Sequence, residues 1–251
     1  MKDKIVIITG GTSGIGFAGA ELFLKNKARV IIIGRDIAKG QDAVEKLCKI
    51  NDSIEFMAAD ISKVSECREV VNKIINKYLR IDVLINNAGI YYEKAIMDMT
   101  EEDFDEMMNI NIKAAYFMAK EVASQMKEQK SGAIVNISSD AGLNGNFLCT
   151  AYCASKGALT VFSKALALEL APYNIRVNCV CPGDIDTPLT QKQFSDELNT
   201  KQALADMAQL YPIGRIGKAH EVANVIYFLA SDQASFVVGA TWSVDGGISS
   251  Y

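Results

Sequence analysis

Short, nearly continuous apolar runs alternate with longer helical patterns along almost the whole chain, and this alternation constrains the fold more than any other sequence feature. The runs lie at 4–9, 29–34, 53–58, 82–86, 133–138, 176–181 and 241–244. Most are β-branched and apolar at successive positions, as strands buried on both faces of a parallel sheet are. Helical periodicity occupies 14–26, 37–50, 65–78, 101–130, 150–171 and 219–230. Strict alternation predicts an α/β fold: a doubly wound parallel sheet of about seven strands, flanked by helices and joined by right-handed crossovers. No Pro/Gly/Ser-rich linker, repeat or low-complexity tract divides the chain, so residues 1–251 read as one domain. The polar, helix-flavoured stretch at about 186–212 interrupts the alternation and is expected to form a lid over the sheet's ligand-binding edge.

Composition narrows the partners. With 49% hydrophobic and 22% charged residues the chain can build a sizeable core. Its 26 basic and 30 acidic residues leave a formal charge of −4, without the basic footprint of a nucleic-acid binder. No apolar run is long enough to span a membrane, and the N-terminus runs directly into a strand-like segment, so a cytoplasmic protein is expected. The six cysteines stand at 48, 67, 149, 153, 179 and 181, and the single histidine is His220. Neither close cysteine pair has C-x2-C spacing, so reduced thiols and no metal site are expected.

The first strand ends in Thr9-Gly10-Gly11-Thr12-Ser13-Gly14-Ile15-Gly16, and a helix follows. Glycines let backbone approach a pyrophosphate, and the helix N-terminus offers it free N–H groups. In an alternating α/β chain this turn points to a Rossmann-type dinucleotide site. The second strand runs into Gly34-Arg35-Asp36. A glycine where an acid would otherwise hold the adenosine ribose, followed by an arginine, suits a 2′-phosphate. NADP is therefore expected, with NAD possible because Asp36 competes.

Tyr152 and Lys156 are four residues apart at the start of a helical pattern and share one face. A neighbouring ammonium is expected to lower the phenol's pKa and make the pair a general acid/base. Ser139 follows an apolar strand at the carboxyl edge where such sheets bind ligands, and its hydroxyl is placed to bond a substrate oxygen. Asn111 falls on the buried stripe Phe104, Met108, Ala115, Met118, Val122 and Met126 of a long helix. Its amide either bonds its neighbours or holds a water that relays protons to Lys156.

Together the glycine turn, Asn86-Asn87-Ala88-Gly89, Asn111, Ser139, Tyr152-x3-Lys156, Pro182-Gly183 and Val244-Asp245-Gly246-Gly247 resemble the short-chain dehydrogenase/reductase family, in the family's order and over essentially the whole chain. The resemblance implies Tyr152 as acid/base, Ser139 as the group orienting the carbonyl, and Lys156 on the nicotinamide ribose. It implies Asn111 as the support of a proton relay. It also implies cofactor contacts at Gly10, Thr12, Ser13, Gly14, Ile15, Gly16, Arg35, Asp60, Ile61, Asn87, Ala88 and Gly89. Pro182, Gly183, Ile185 and Thr187 would meet the nicotinamide end, and family members usually assemble as tetramers, so a homotetramer or homodimer is expected.

The function so implied is hydride transfer between NADP(H) and a small-molecule secondary alcohol or ketone. A non-catalytic dinucleotide sensor on the same fold is the second reading, and the intact Ser139/Tyr152/Lys156 set argues against it. A methyltransferase would leave Tyr152-x3-Lys156 without purpose. Candidate substrate contacts are Tyr91, Tyr92, Leu143, Asn144, Phe147, Leu189, Phe194, Met207 and Tyr211, an apolar and aromatic mix. It suits a ring-bearing or aliphatic ketone such as a hydroxysteroid-like compound, and a 3-oxoacyl substrate is the alternative. Cys149 and Cys153 bracket Tyr152 and are either inert thiols or sites where modification inactivates.

Overall fold

The computed structural model describes residues 1–192 and 200–250. Seven parallel strands form one sheet: β1 (Ile5–Thr9), β2 (Arg29–Gly34), β3 (Ile54–Ala58), β4 (Val83–Asn86), β5 (Gly132–Ile137), β6 (Ile175–Pro182) and, at the far edge, β9 (Thr241–Val244). Their order is β3-β2-β1-β4-β5-β6-β9. The short strands β7 (Ile185–Asp186) and β8 (Gly217–Lys218) pair separately. The chain turns back between β1 and β4, which opens a crevice at the strands' carboxyl ends.

The apolar runs are explained by burial on both sides. Val6, Ile8, Val30, Ile32, Val135 and Val180 pack under α1 (Gly14–Lys25) and α9 (Ala219–Ala230). The alternate residues Ile5, Ile7, Ile31, Leu84, Ile134 and Val177 pack under α3 (Val64–Tyr78) and α5 (Ala114–Gln129). Each fully buried aliphatic side chain contributes on the order of 1.5–3 kcal/mol, so no strand of the sheet's centre can leave the core cheaply. The strand and helix positions expected from the alternation agree with these elements to within about two residues at each boundary.

One helix departs from expectation. The span 101–130 is two α segments, α4 (Glu101–Met108) and α5, joined by a π turn at Asn109–Lys113. A π turn inserts an extra residue and rotates the preceding helix face. Met107 is therefore the buried residue of α4, while Phe104 is exposed and Met108 only partly covered. Beyond the turn the stripe runs as expected through Ala115, Met118, Val122 and Met126. The 186–212 stretch contains α7 (Pro188–Lys192) and α8 (Thr200–Gln209), and Phe194 lies outside the described residues. The remaining helices are α2 (Ile37–Cys48) and α6 (Thr150–Leu170). Among the described residues no helix is long and apolar enough to cross a membrane.

Candidate active site

A crevice of about 510 Å³ runs along the carboxyl ends of the central strands, and its lining includes every catalytic and cofactor residue expected from the sequence except the buried Gly16 and Asn111, which lie just behind it. Its adenosine end is built by the glycine turn. Gly10 has a φ of +65°, and a Cβ there would sit 2.9 Å from Ala88 Cα. The turn is latched to β4: Asn87 Nδ2 donates to the Thr9 and Gly10 carbonyls at 3.0 and 3.1 Å, and the Asn87 and Ala88 N–H groups donate to Thr9 Oγ1. Asn87 thus shapes the turn, and Thr9, its first residue, anchors it. Ser13 stands before α1 without a side-chain capping bond, so the first-turn N–H groups keep their anion-binding capacity. Thr187 faces Gly14 across the crevice, 3.3 Å from where a Cβ would lie.

Arg35, Asp36, Lys39 and Asp60 surround the end of β2. Asp36 caps α2: its carboxylate accepts the Lys39 N–H at 3.0 Å, with Lys39 Nζ at 3.9 Å. Arg35 is exposed beside it, and Lys39 adds a second cation that sequence reasoning missed. Burial pushes the Asp60 carboxyl up, but two Ser62 hydrogen bonds and the charges of Arg35 and Lys63 outweigh this and hold it below its ordinary value.

At the other end, α6 carries Tyr152 and Lys156 on one face. Lys156 is 4% exposed, and its Nζ donates to the Ile137 carbonyl at 2.8 Å and lies 5.7 Å from the Tyr152 ring centroid. Burial pulls its pKa from 10.5 down to about 8. Gly89 leaves room for this ammonium, since a Cβ there would stand 3.2 Å from Asn111 Oδ1 and 3.5 Å from Lys156 Nζ. Asn111 sits in the π turn. Its Oδ1 accepts from the Ile90 N–H at 2.8 Å, and its Nδ2 donates to the Ile90 carbonyl and to Ser155 Oγ. The amide is thus tied to its neighbours on both sides.

The Tyr152 hydroxyl differs from expectation. Burial first, then the charges of Asp140, Cys149 and Asp184, push its pKa above the ordinary phenol value, against the opposing Ser139 hydroxyl. The expected lowering by Lys156 is not among the influences on the phenol; that ammonium is turned to the Ile137 carbonyl. Ser139 Oγ donates to Asp140 Oδ1 at 2.6 Å and accepts from the Ala141 N–H. Tyr91 packs edge-on against Tyr152 with centroids 4.8 Å apart, and its hydroxyl lies 3.5 Å from Cys149 Sγ. Cys149 is buried, Cys153 partly so, and all six thiols are free. Tyr211 is 4% exposed, accepts the Asp184 N–H at 2.6 Å and donates to the Asp184 carboxylate at 2.7 Å. It straps the chain after α8 to the end of β6, which accounts for an acid in Pro182-Gly183-Asp184.

Phosphate-cradling backbone at one end and a proton-bearing phenol beside a buried lysine at the other make this a dinucleotide-dependent oxidoreductase of the doubly wound class. The chain matches the family profile described as short chain dehydrogenase over residues 4–198. It is 40% identical over 250 residues to a 3-oxoacyl-(acyl-carrier-protein) reductase of Thermotoga maritima, across 99% of this chain and 98% of that protein. It is 37% identical over 247 residues to a cyclopentanol dehydrogenase of Comamonas testosteroni, across 98% and 97%. It also superposes on a structure of ElxO with NADP bound, with a TM-score of 0.92, 36% identity and 100% of both chains covered. The chain belongs to the short-chain dehydrogenase/reductase family, and it is an oxidoreductase acting on alcohol or ketone groups with a nicotinamide dinucleotide.

Lys156 separates stability from function. Keeping a lysine charged at neutral pH when its pKa has fallen from 10.5 to about 8 costs roughly 3 kcal/mol. Lys156→Met removes that cost but strands the Ile137 carbonyl, worth about 1–3 kcal/mol. The variant should therefore melt within a few degrees of the wild type while turnover falls at least about a hundredfold. Between pH 8 and 10.5 the folded lysine binds fewer protons than the unfolded one. Its contribution to stability thus rises with pH across that window and is lost as pH falls through 8. Thermal melts of both proteins from pH 7 to 10 should show the wild type gaining on the variant, and parallel melts would remove the desolvated ammonium.

Proposed function

We propose that this protein transfers hydride between NADP(H) and a secondary alcohol or ketone of apolar, ring-bearing or aliphatic character, as a single catalytic domain with a lid over 186–212. The observation that carries the reading is the placement of Tyr152, Ser139 and Lys156 at one end of a crevice whose other end is lined by the glycine turn and Arg35. NADP(H), when bound, supplies or accepts the hydride. Gly10, Gly14 and Gly16 with Thr12, Ser13 and Ile15 would hold its pyrophosphate, and Arg35 with Lys39 its 2′-phosphate. Asp60, Ile61, Ala88 and Gly89 would border the adenosine. Lys156 would hold the nicotinamide ribose, and Pro182, Gly183, Ile185 and Thr187 the carboxamide. Tyr152 donates the proton to the carbonyl oxygen, Ser139 orients that oxygen after turning from Asp140, and Asn111 supports a proton relay toward Lys156.

Exposed Leu143 and Phe147 on the connection into α6, and Leu189 at the crevice, favour an apolar substrate. The cyclopentanol dehydrogenase among its relatives points the same way, and the 3-oxoacyl reductase keeps an acyl substrate as the alternative. A homotetramer or homodimer in the cytoplasm is in keeping with the structure. Tyr116, Val161 and Leu168 expose apolar surface on α5 and α6, Phe236 and Trp242 expose more around β9, and the six thiols are unpaired.

Fluorescence titration with NADPH and NADH tests the cofactor assignment. The wild type should bind NADPH more tightly, and Arg35→Ala should weaken NADPH binding about tenfold or more, a charge-assisted contact being worth about 1.5–3 kcal/mol, with little effect on NADH. Equal loss for both cofactors would refute phosphate recognition by Arg35.

A further inference from the structure

The crevice is electrically lopsided. Its basic lining residues are Arg35, Lys39 and Lys156. The first two stand at the adenosine end, and Lys156 points its ammonium at the Ile137 carbonyl. Among the described residues, the charges around the reacting hydroxyls are carboxylates. Asp140 follows Ser139 directly, accepts a hydrogen bond from its hydroxyl at 2.6 Å, and accepts one from the Asn146 amide at 3.5 Å. Asp184 lies across the opening, held by Tyr211. Asp140 and Asp184 line the same crevice as Ser139 and Tyr152.

We propose that Asp140 and Asp184 are specificity-determining residues that reject carbonyl compounds bearing a carboxylate or phosphate within two atoms of the reacting carbon, and so restrict the site to uncharged or cationic ketones and alcohols. The inference rests on the reading of this crevice as a ketone/alcohol site. The positions matter because a substrate oxygen between Ser139 and Tyr152 is a neighbour of Asp140. Any anionic substituent one or two atoms away then meets a like charge with little water between them, where Coulomb repulsion is several times stronger than in bulk water. Each carboxylate should disfavour such a substrate by roughly tenfold. Asp140 is also a positioning residue: its carboxylate sets which way the Ser139 proton points.

The test compares a matched pair, a 3-oxo acid and its neutral ethyl ester, as substrates of the NADPH-loaded enzyme. The quantity read is the ester-to-acid ratio of kcat/KM within each protein, so a general loss of activity cancels. The wild type should favour the ester strongly. Asp140→Asn and Asp184→Asn should each narrow the ratio about tenfold, and the double variant should narrow it further. Equal ratios in all four proteins, or a wild type that prefers the acid, overturn the proposal. If no protein turns over either compound, the ketone reading of this pair fails separately. The electrostatic sieve is then read from binding of acid and ester to the NADPH complex by quenching of its fluorescence, with the same expected ratios and the same overturning result.

Discussion

Tyr152→Phe should lose at least a hundredfold in turnover and bind NADPH as the wild type does. The substitution removes one hydroxyl and keeps the ring, which continues to pack edge-on against Tyr91, so the fold has no reason to change. General acid–base groups typically contribute about 10²–10⁴ in rate. Direction also follows from the environment. Burial and the charges of Asp140, Cys149 and Asp184 keep the phenol protonated well above the ordinary range. At neutral pH Tyr152 is therefore a proton donor suited to ketone reduction. Alcohol oxidation needs the phenolate and should climb with pH into the alkaline range, whereas reduction should decline there. Steady-state rates in both directions from pH 6 to 10, with NADPH titrations of both proteins, decide the matter. Near-normal turnover in the variant would remove Tyr152 from the chemistry.

The topology was largely legible in the sequence, for a physical reason. A strand covered on both faces has to be apolar at successive positions, so Val30 to Ile33 and Ala133 to Val135 announce themselves without a structure. What was not legible arises from departures from ideal periodicity. The π turn at Asn109–Lys113 moved burial from Met108 to Met107, and no propensity marks a single wide turn. A polar Asn111 within an apolar stripe was the one local sign of it.

The candidate site was legible where chemistry demands a residue type at fixed spacing, as in the glycine turn and the Tyr152/Lys156 pair. It was not legible where a side chain's role depends on what lies opposite. Asp36 reads as a rival for the ribose, yet it caps α2. Tyr211 reads as a substrate contact, yet it straps Asp184. Thr9 opens the glycine turn but its latching role comes from β4 packing beside β1, and Lys39, which carries no motif, owes its place to the first turn of α2. The direction of the Tyr152 shift was missed because it is set first by burial of the hydroxyl and then by Asp140 and Asp184, and only the fold brings these together.

Gly16→Val should abolish measurable NADPH binding while leaving most of the fold standing. A Cβ at position 16 would lie 2.5 Å from the Gly10 carbonyl oxygen and 2.5 Å from Asn87 Nδ2. The first contact is backbone and cannot rotate away. The second is the atom that latches the turn to β4, so relieving the clash displaces the turn itself. Overpacking of this kind costs about 1–3 kcal/mol of stability, and a displacement of about 1 Å in a positioning element is enough for a hundredfold functional loss. Gly157→Ala is the matched control: it lies within α6 with nothing inside 4 Å of the added carbon. That change should stabilise the protein by about 0.5–1 kcal/mol and leave the NADPH titration unaltered. If Gly16→Val melted only slightly lower yet bound NADPH normally, the pyrophosphate would not lie against this turn. The adenosine-end assignments of Arg35 and Asp60 would then fall with it, whereas the Tyr152 chemistry, argued from the opposite end of the crevice, would stand on its own test.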